Sequence, residues 1–357
     1  MEHPSCAFGL SEAGTPAGVA FASLTMSAKS WIKQSLVNSG ALKLAARLRP
    51  QGAAVLMYHS VLDDPDQQWL VLGGIGHSTR VFRQQMEAVA GRYHCISLDD
   101  LLSYLRGAKE LPPRAVVVTF DDGYADNLEV AVPILNELGV PATFYITVDC
   151  IESSRVPWPS RLRFSFFVTS ESFWQQEGGK LWRLHDKESR NQAYLHACDD
   201  CAKQAGEAQR KFVDRIEREL NAAVPNSIET RMMTWDQVRA LRHKGHIVGS
   251  HTMTHPNMAY VSLDDARNEL AQSKQKLDAE LGNPVVHFSY PCPALWPHWN
   301  SQTLALSKEV GYETAVTTEG GMVRRQDDPL CLHRMRPSKN VNDLLWNLDC
   351  TFLGRSM

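Results

Sequence analysis

From about residue 52, apolar runs short enough for strands alternate with stretches whose apolar residues recur at helical spacing. Ala53-Ala54-Val55-Leu56-Met57-Tyr58 reads as a buried strand, and 79–89 as a helix. A short strand at 93–97 leads into a helix over 98–106. Ala115 to Phe120 is strongly apolar and reads as a buried strand; 126–138 reads as a helix with Gly139 at its end and Pro141 beyond. The next strand spans 142–148. A helix at 235–243 then precedes a strand at 246–248. Ser262 caps a long helix that carries Ala266, Leu270, Leu277 and Leu281 and closes at Gly282. A strand at 285–290, a helix at 302–310 and strands near 314–317 and 330–333 complete the run. Alternation of this kind predicts an α/β fold, a parallel sheet closed as a barrel.

Residues 151–230 break the rhythm. They are richer in charge and tryptophan (Trp158, Trp174, Trp182), and 204–220 has the pattern of an amphipathic helix. The expected organisation is therefore a leader over 1–50, a barrel built from 51–150 and 231–357, and a helical insert at 151–230. Such inserts shape a cleft or serve stability alone, and the residues favour neither.

Composition narrows the partners. The chain has 357 residues, a hydrophobic fraction of 43%, a charged fraction of 22% and a net charge of -3. That balance gives no electrostatic case for nucleic acid. Of the eight cysteines, only Cys198 and Cys201 are closely spaced. No second pair completes a four-thiolate zinc site, and the scattered thiols suit a reducing compartment. The first 25 residues lack the basic and apolar regions of a signal peptide, and Met26 is an alternative start. Residues 26–49 read as a basic amphipathic helix, either capping the barrel or touching a membrane surface. A cytoplasmic location, or one peripheral to the inner membrane, is expected.

The chemistry-bearing residues fall where barrel enzymes keep theirs, at the C-terminal ends of strands. Asp121 and Asp122, in Thr119-Phe120-Asp121-Asp122-Gly123, follow the strand at 115–120. His251 and His255, in His251-Thr252-Met253-Thr254-His255, follow the strand at 246–248. Two imidazoles and one carboxylate leave coordination positions open on zinc or a similar ion, the arrangement of a catalytic rather than a structural site. The second carboxylate is then available as a general base. His333 ends a late strand. His59 ends the first one and either lines the site or is a hydrogen-bonded core residue.

Those two motifs resemble the first two of the polysaccharide deacetylase (NodB-homology) family. The likeness extends from Leu56-Met57-Tyr58-His59-Ser60-Val61, through Pro141-Ala142-Thr143-Phe144-Tyr145, to about Arg336. It implies a distorted (β/α) barrel with a helical insert, and metal-dependent removal of N- or O-acetyl groups from carbohydrate. By resemblance, Asp121 is the base, and Asp122, His251 and His255 hold a divalent metal, zinc first among the candidates. The family's third motif commonly supplies an Arg that orients the base, then a Pro and an aromatic residue. Here Phe288-Ser289-Tyr290-Pro291-Cys292-Pro293 puts Ser289 in the Arg position and Cys292 in the aromatic one. Tyr290, Pro291 and the backbone of Cys292 are the matching substrate and oxyanion candidates. Leu330-Cys331-Leu332-His333 resembles the family's Leu-x-Leu-His, which makes His333 the acid for the leaving amine. Trp296 and Trp299 suit either sugar stacking or the packing of a Pro-rich loop.

The reading that results is a carbohydrate deacetylase acting on an acetylated sugar of a polysaccharide or its precursor. Two rivals keep the fold: a glycan-binding protein without turnover, and a hydrolase of another acyl or amide group.

Overall fold

The computed structural model describes residues 51–229 and 231–354, together with Lys33, Ser35 and Ser39. The remainder of the leader, including most of the helix expected at 26–49, lies outside the described residues. Lys33 pairs with Asp343 at 3.0 Å.

The strands are β1 (Ala53–Tyr58), β2 (His94–Cys95), β3 (Ala115–Phe120), β4 (Ala142–Ile146), β5 (Phe173–Gln175), β6 (Leu181–Arg183), β7 (Ile247–Ser250), β8 (His287–Ser289) and β9 (Thr314–Val316). The main sheet runs β1-β3-β4-β7-β8-β9, with β2 also paired to β3, and every pairing is parallel. Parallel strands need helical crossovers, which cover the sheet's outer face. That is why β1, β3 and β4 are apolar at nearly every position rather than alternating.

The segment around 332–335 closes the ring. Leu332 bridges Val316 on β9, and Met335 bridges Leu56 on β1. Barrel-interior residues such as Ala53, Val55, Val117, Tyr145 and Leu332 form one apolar cluster. The alternate positions (Ala54, Leu56, Val116, Val118, Phe120, Phe144) pack outward under helices. The barrel expected from the alternation, distorted as the family resemblance implied, is thus present.

Two local departures have physical causes. The helix expected at 126–138 is a π-helical stretch, Asn127–Ala131, followed by an α-helix, Val132–Glu137. Pro133 lacks an N–H and its ring would strike the carbonyl four residues back, so the wider turn relieves the conflict. Between β4 and β7 the chain forms helices Trp158–Val168, Lys187–Cys201 and Gly206–Glu219, with their own apolar core. It also forms an antiparallel hairpin, β5–β6, in which Trp174 faces Trp182.

Candidate metal centre and active site

Parallel register fixes where the polar groups emerge. Tyr58 is level with Phe120, and Asp121 donates its N–H to the Tyr58 carbonyl at 3.0 Å, so His59 and Asp121 leave adjacent strands side by side. Ile146 is level with Ser250, and Ser250 with Phe288, which places His251 beside Ser289.

Asp122, His251 and His255 converge: one ligand atom from each lies within 4.8 Å of the others, and all three residues are buried. Asp122 Oδ1 is 3.7 Å from His251 Nε2 and 3.5 Å from His255 Nε2. These separations suit donors sharing one ion about 2 Å from each. His251 Nδ1 donates to the Ser289 carbonyl at 2.8 Å, which leaves the Nε2 lone pair facing Asp122. Asp122 Oδ1 is buried without a hydrogen-bond partner among the described residues. A buried carboxylate oxygen left so is costly unless a cation answers it. The donor set therefore fits a divalent ion.

The ligand loop is strained into place. His251 and His255 do not ride on a helix; Thr252 (φ 68°) and His255 (φ 63°) adopt left-handed backbone, as does Asp122 (φ 79°). Glu269, on the helix Leu263–Leu281, braces the loop. Its carboxylate accepts the N–H groups of Met253 and Thr254 at 2.8 Å each and the Thr254 hydroxyl at 2.6 Å. From the insert, Trp158 Nε1 donates to the His255 carbonyl at 2.8 Å, and Gly206 N–H donates to the Thr254 hydroxyl at 3.0 Å.

Asp121 is held by an arginine absent from the sequence expectations. Arg334, 1% exposed, donates from Nη1 to Asp121 Oδ1 at 2.8 Å. Its Nη2 reaches Ser289 Oγ at 2.9 Å, and its Nε reaches the Thr317 carbonyl at 2.8 Å. Ser289 thus stands where an Arg was expected because the guanidinium arrives from the closing segment instead. Burial alone would raise the Asp121 carboxyl; the Arg334 and His251 charges overcome it and hold Asp121 well below the usual carboxylate range. Asp122 goes the other way, pushed well up by burial and then by the Asp121 charge. Burial also lowers His251 and His255. His59 is lowered to about 3, by burial first, with Asp121 opposing.

A cleft of about 810 Å³ opens over the cluster. It is lined by Asp121, Asp122, His251, His255, His59, Cys292, Pro293 and Arg336 from the barrel, and by Pro157, Ser160, Arg163, Asn191 and Tyr194 from the insert.

Three expected roles need correction. His333 is not part of the lining; its ring packs close to Gly321, where an added Cβ would come within 3.2 Å. Side chains alternate along an extended segment, so with Leu332 and Arg334 facing inward, His333 faces out. Tyr290 is 1% exposed and stacks on Trp299, with its hydroxyl 3.3 Å from Ser307 Oγ, away from the cleft. Pro291 is buried and outside the lining. Of the third-motif candidates only Cys292 reaches the cleft. Trp299 donates to Glu319 at 2.9 Å, whereas Trp296 is 50% exposed beside a larger groove that shares Tyr194, Cys292, Pro293 and Arg336 with the cleft.

The family model for polysaccharide deacetylases matches residues 108–315. The chain belongs to the polysaccharide deacetylase family. Members of this family are carbohydrate deacetylases, hydrolases of non-peptide carbon–nitrogen bonds. The Bacillus subtilis protein YxkH is 21% identical over 299 residues, covering 82% of this chain and 74% of its own. The poly-beta-1,6-N-acetyl-D-glucosamine N-deacetylase of Escherichia coli K12 is 22% identical over 281 residues, covering 76% of this chain but only 34% of its own. The fold matches the Streptococcus pyogenes deacetylase PplD with a TM-score of 0.56 at 20% identity, covering 83% of this chain and 97% of that one. IcaB from Ammonifex degensii gives 0.54 at 17%, covering 84% and 98%. In this deacetylase chain, the Asp122–His251–His255 cluster lies at the mouth of the barrel, at the strands' C-terminal ends.

Proposed function

We propose that the chain is a metal-dependent deacetylase that hydrolyses the acetamide of an N-acetylhexosamine in a polysaccharide or its precursor. One observation carries the reading: an uncompensated Asp122–His251–His255 cluster with a second carboxylate, Asp121, ionised beside it by Arg334. A divalent ion held by Asp122, His251 and His255, zinc first among the candidates, would supply Lewis acidity toward the acyl carbonyl and toward water.

The chain's own groups do the rest. Asp121, fixed through Oδ1, keeps Oδ2 turned toward His251 at 3.9 Å and takes a proton from the attacking water. As the water oxygen bonds to the acyl carbon, the carbon–nitrogen bond breaks and the amine needs that proton. His59 lines the same cleft beside Asp121 and starts neutral, so Asp121 is the source of the proton His59 delivers. Acetate and a free amino sugar leave. The larger groove flanked by Trp296 gives a neighbouring sugar an aromatic surface and supports a polymeric rather than monomeric substrate. The E. coli relative's poly-N-acetylglucosamine is the first polymer to try.

The test is acetate release from an acetylated-glycan panel by the purified chain, after chelation and after restoring single divalent ions. Metal-dependent release that Asp121→Asn removes is the expected result. Binding of glycan without release by either protein would make the chain a lectin on a hydrolase fold. Release of other acyl groups only would move it to another acyl hydrolase.

A further inference from the structure

Arg161 and Arg163 leave the same helix, Trp158–Val168, two residues apart and meet opposite fates, and of the two Arg163 lines the cleft. Arg161 is neutralised by Glu217, at 2.9 Å and 2.6 Å, and by Asp214 at 2.6 Å. Arg163 has no carboxylate partner among the described residues. Its Nε donates to the Trp69 carbonyl at 3.0 Å, and its Cζ lies 4.8 Å from the Phe167 ring centroid, 5.7 Å from that of Trp69 and 6.0 Å from that of Tyr194. Gly73 crosses beside it with φ +60°, a backbone that favours glycine; a Cβ there would sit 3.3 Å from Nε and 3.4 Å from Cζ and would push the guanidinium by a few tenths of an ångström. Neither Nη group has a hydrogen-bond acceptor among the described residues.

The fork is thus held by ring faces and one carbonyl while it lines the cleft that contains Asp122, His251 and His255. Burial lowers the Arg163 pKa, and the ionisable groups that oppose this are Tyr194 and Cys198 rather than any acid. A cation already stripped of part of its water and denied a counter-ion favours an oxyanion, because the planar fork matches carboxylate and phosphate oxygens in pairs. Arg336 lines the same cleft, again without a carboxylate partner among the described residues.

We propose that Arg163 forms an oxyanion subsite, so that the acetylated sugar admitted here, or its immediate neighbour, carries a carboxylate or phosphate group. The proposal rests on the deacetylase reading for the substrate's acetamide, yet it is tested by binding rather than turnover. The full chain carrying Asp121→Asn, which spares the ligand, is titrated with N-acetylglucosamine, N-acetylglucosamine 1-phosphate and N-acetylmuramic acid, and binding is followed by NMR. At least one anionic sugar should bind about 10- to 100-fold more tightly than the neutral one. Adding Arg163→Gln should erase the difference, and Arg163→Lys should keep part of it.

Preference for the phosphate alone assigns a phosphorylated substrate, preference for the carboxylate alone an acidic sugar, and preference for both a general oxyanion site. Equal binding of all three sugars, or a preference that survives Arg163→Gln, overturns the proposal. Should Arg163→Gln not fold, competition by inorganic phosphate in the protein that keeps Arg163 decides: the anionic preference must shrink, and indifference to phosphate overturns the subsite. Acetate release by the wild type from the whole acetylated-glycan panel, neutral and anionic members alike, judges the deacetylase reading separately.

Discussion

The barrel rim and the insert meet at one cleft but are built by opposite rules. At the rim, Asp121, His59, His251 and Ser289 are placed by strand ends, and parallel register decides which of them are level. The insert has no strand in the main sheet. It owns a separate apolar core of Trp158, Leu162, Phe166, Tyr194, Phe212 and Ile216, and reaches the site through a few contacts, chiefly Trp158 to the His255 carbonyl. The rim holds what the reaction demands, and the insert is free to vary what the cleft admits. Chemistry and selectivity should therefore separate by mutation.

The largest effect expected is at the rim. Asp121→Asn removes the proposed base and should lower kcat for acetate release by about 10³-fold or more, within the range of general-base contributions. A fall of less than tenfold, with metal bound, would move the base elsewhere.

The opposite test sits in the insert core. Leu162 is fully buried among the insert's apolar residues, and Leu162→Ala should destabilise by about 3 kcal/mol, the usual cost of a buried leucine cavity. Chemical denaturation reads that loss, while kcat at low temperature should stay within about twofold. A large kcat loss in protein shown to be folded would mean that the insert positions the reacting groups themselves.

Neighbouring residues of the closing segment give the next contrast. Arg334→Gln should lower kcat by about 100-fold, because Asp121 loses the cation that keeps it ionised and aimed. The Asp121 carboxyl should then rise, so the acid limb of the kcat/KM profile moves to higher pH. His333→Ala, whose ring faces away, should change kcat by less than about threefold. Reversal of the two would restore His333 as the acid.

This pair also marks what the chain let a reader see. The β/α alternation and the Asp-Asp and His-x3-His pieces were legible, because long periodic runs and short polar motifs after strands are local signals. Which side of the closing segment faces inward was not legible. That parity is set by two bridges, at Leu332 and Met335, and a motif match at His333 says nothing about it. Glu269 escaped for a similar reason: it braces a loop from a helix more than a turn away in sequence, with no local mark. The β5–β6 hairpin did carry a signal, Gly178-Gly179 between two tryptophan-bearing runs, outweighed by the helical composition around it. Arg163 lies in a helix whose other side chains are mostly buried, so no polar face singled it out.

The smallest expected effect concerns acid, and it divides the same two regions. His77 and His246 are buried in the barrel and pushed down to about 3 and about 4, in each case by burial first. The insert's His185 and His196 are exposed. A histidine kept neutral in the fold but free to protonate when unfolded stabilises above its ordinary pKa of about 6.5, and that stability is lost as pH falls toward the folded value. Each such imidazole then removes up to about 1.4 kcal/mol per pH unit below that point. Urea midpoints measured from about pH 7.5 down to about pH 5 should decline accordingly. Protonation of His251 and His255 rises in the same window and also weakens the fold. The discriminating variant is therefore His77→Gln, at a residue that lies outside the Asp122–His251–His255 cluster and packs edge-on against Tyr58, with ring centroids 5.1 Å apart. It should flatten the decline by about one proton's worth; an unchanged slope would show that His77 already finds a proton within the folded barrel.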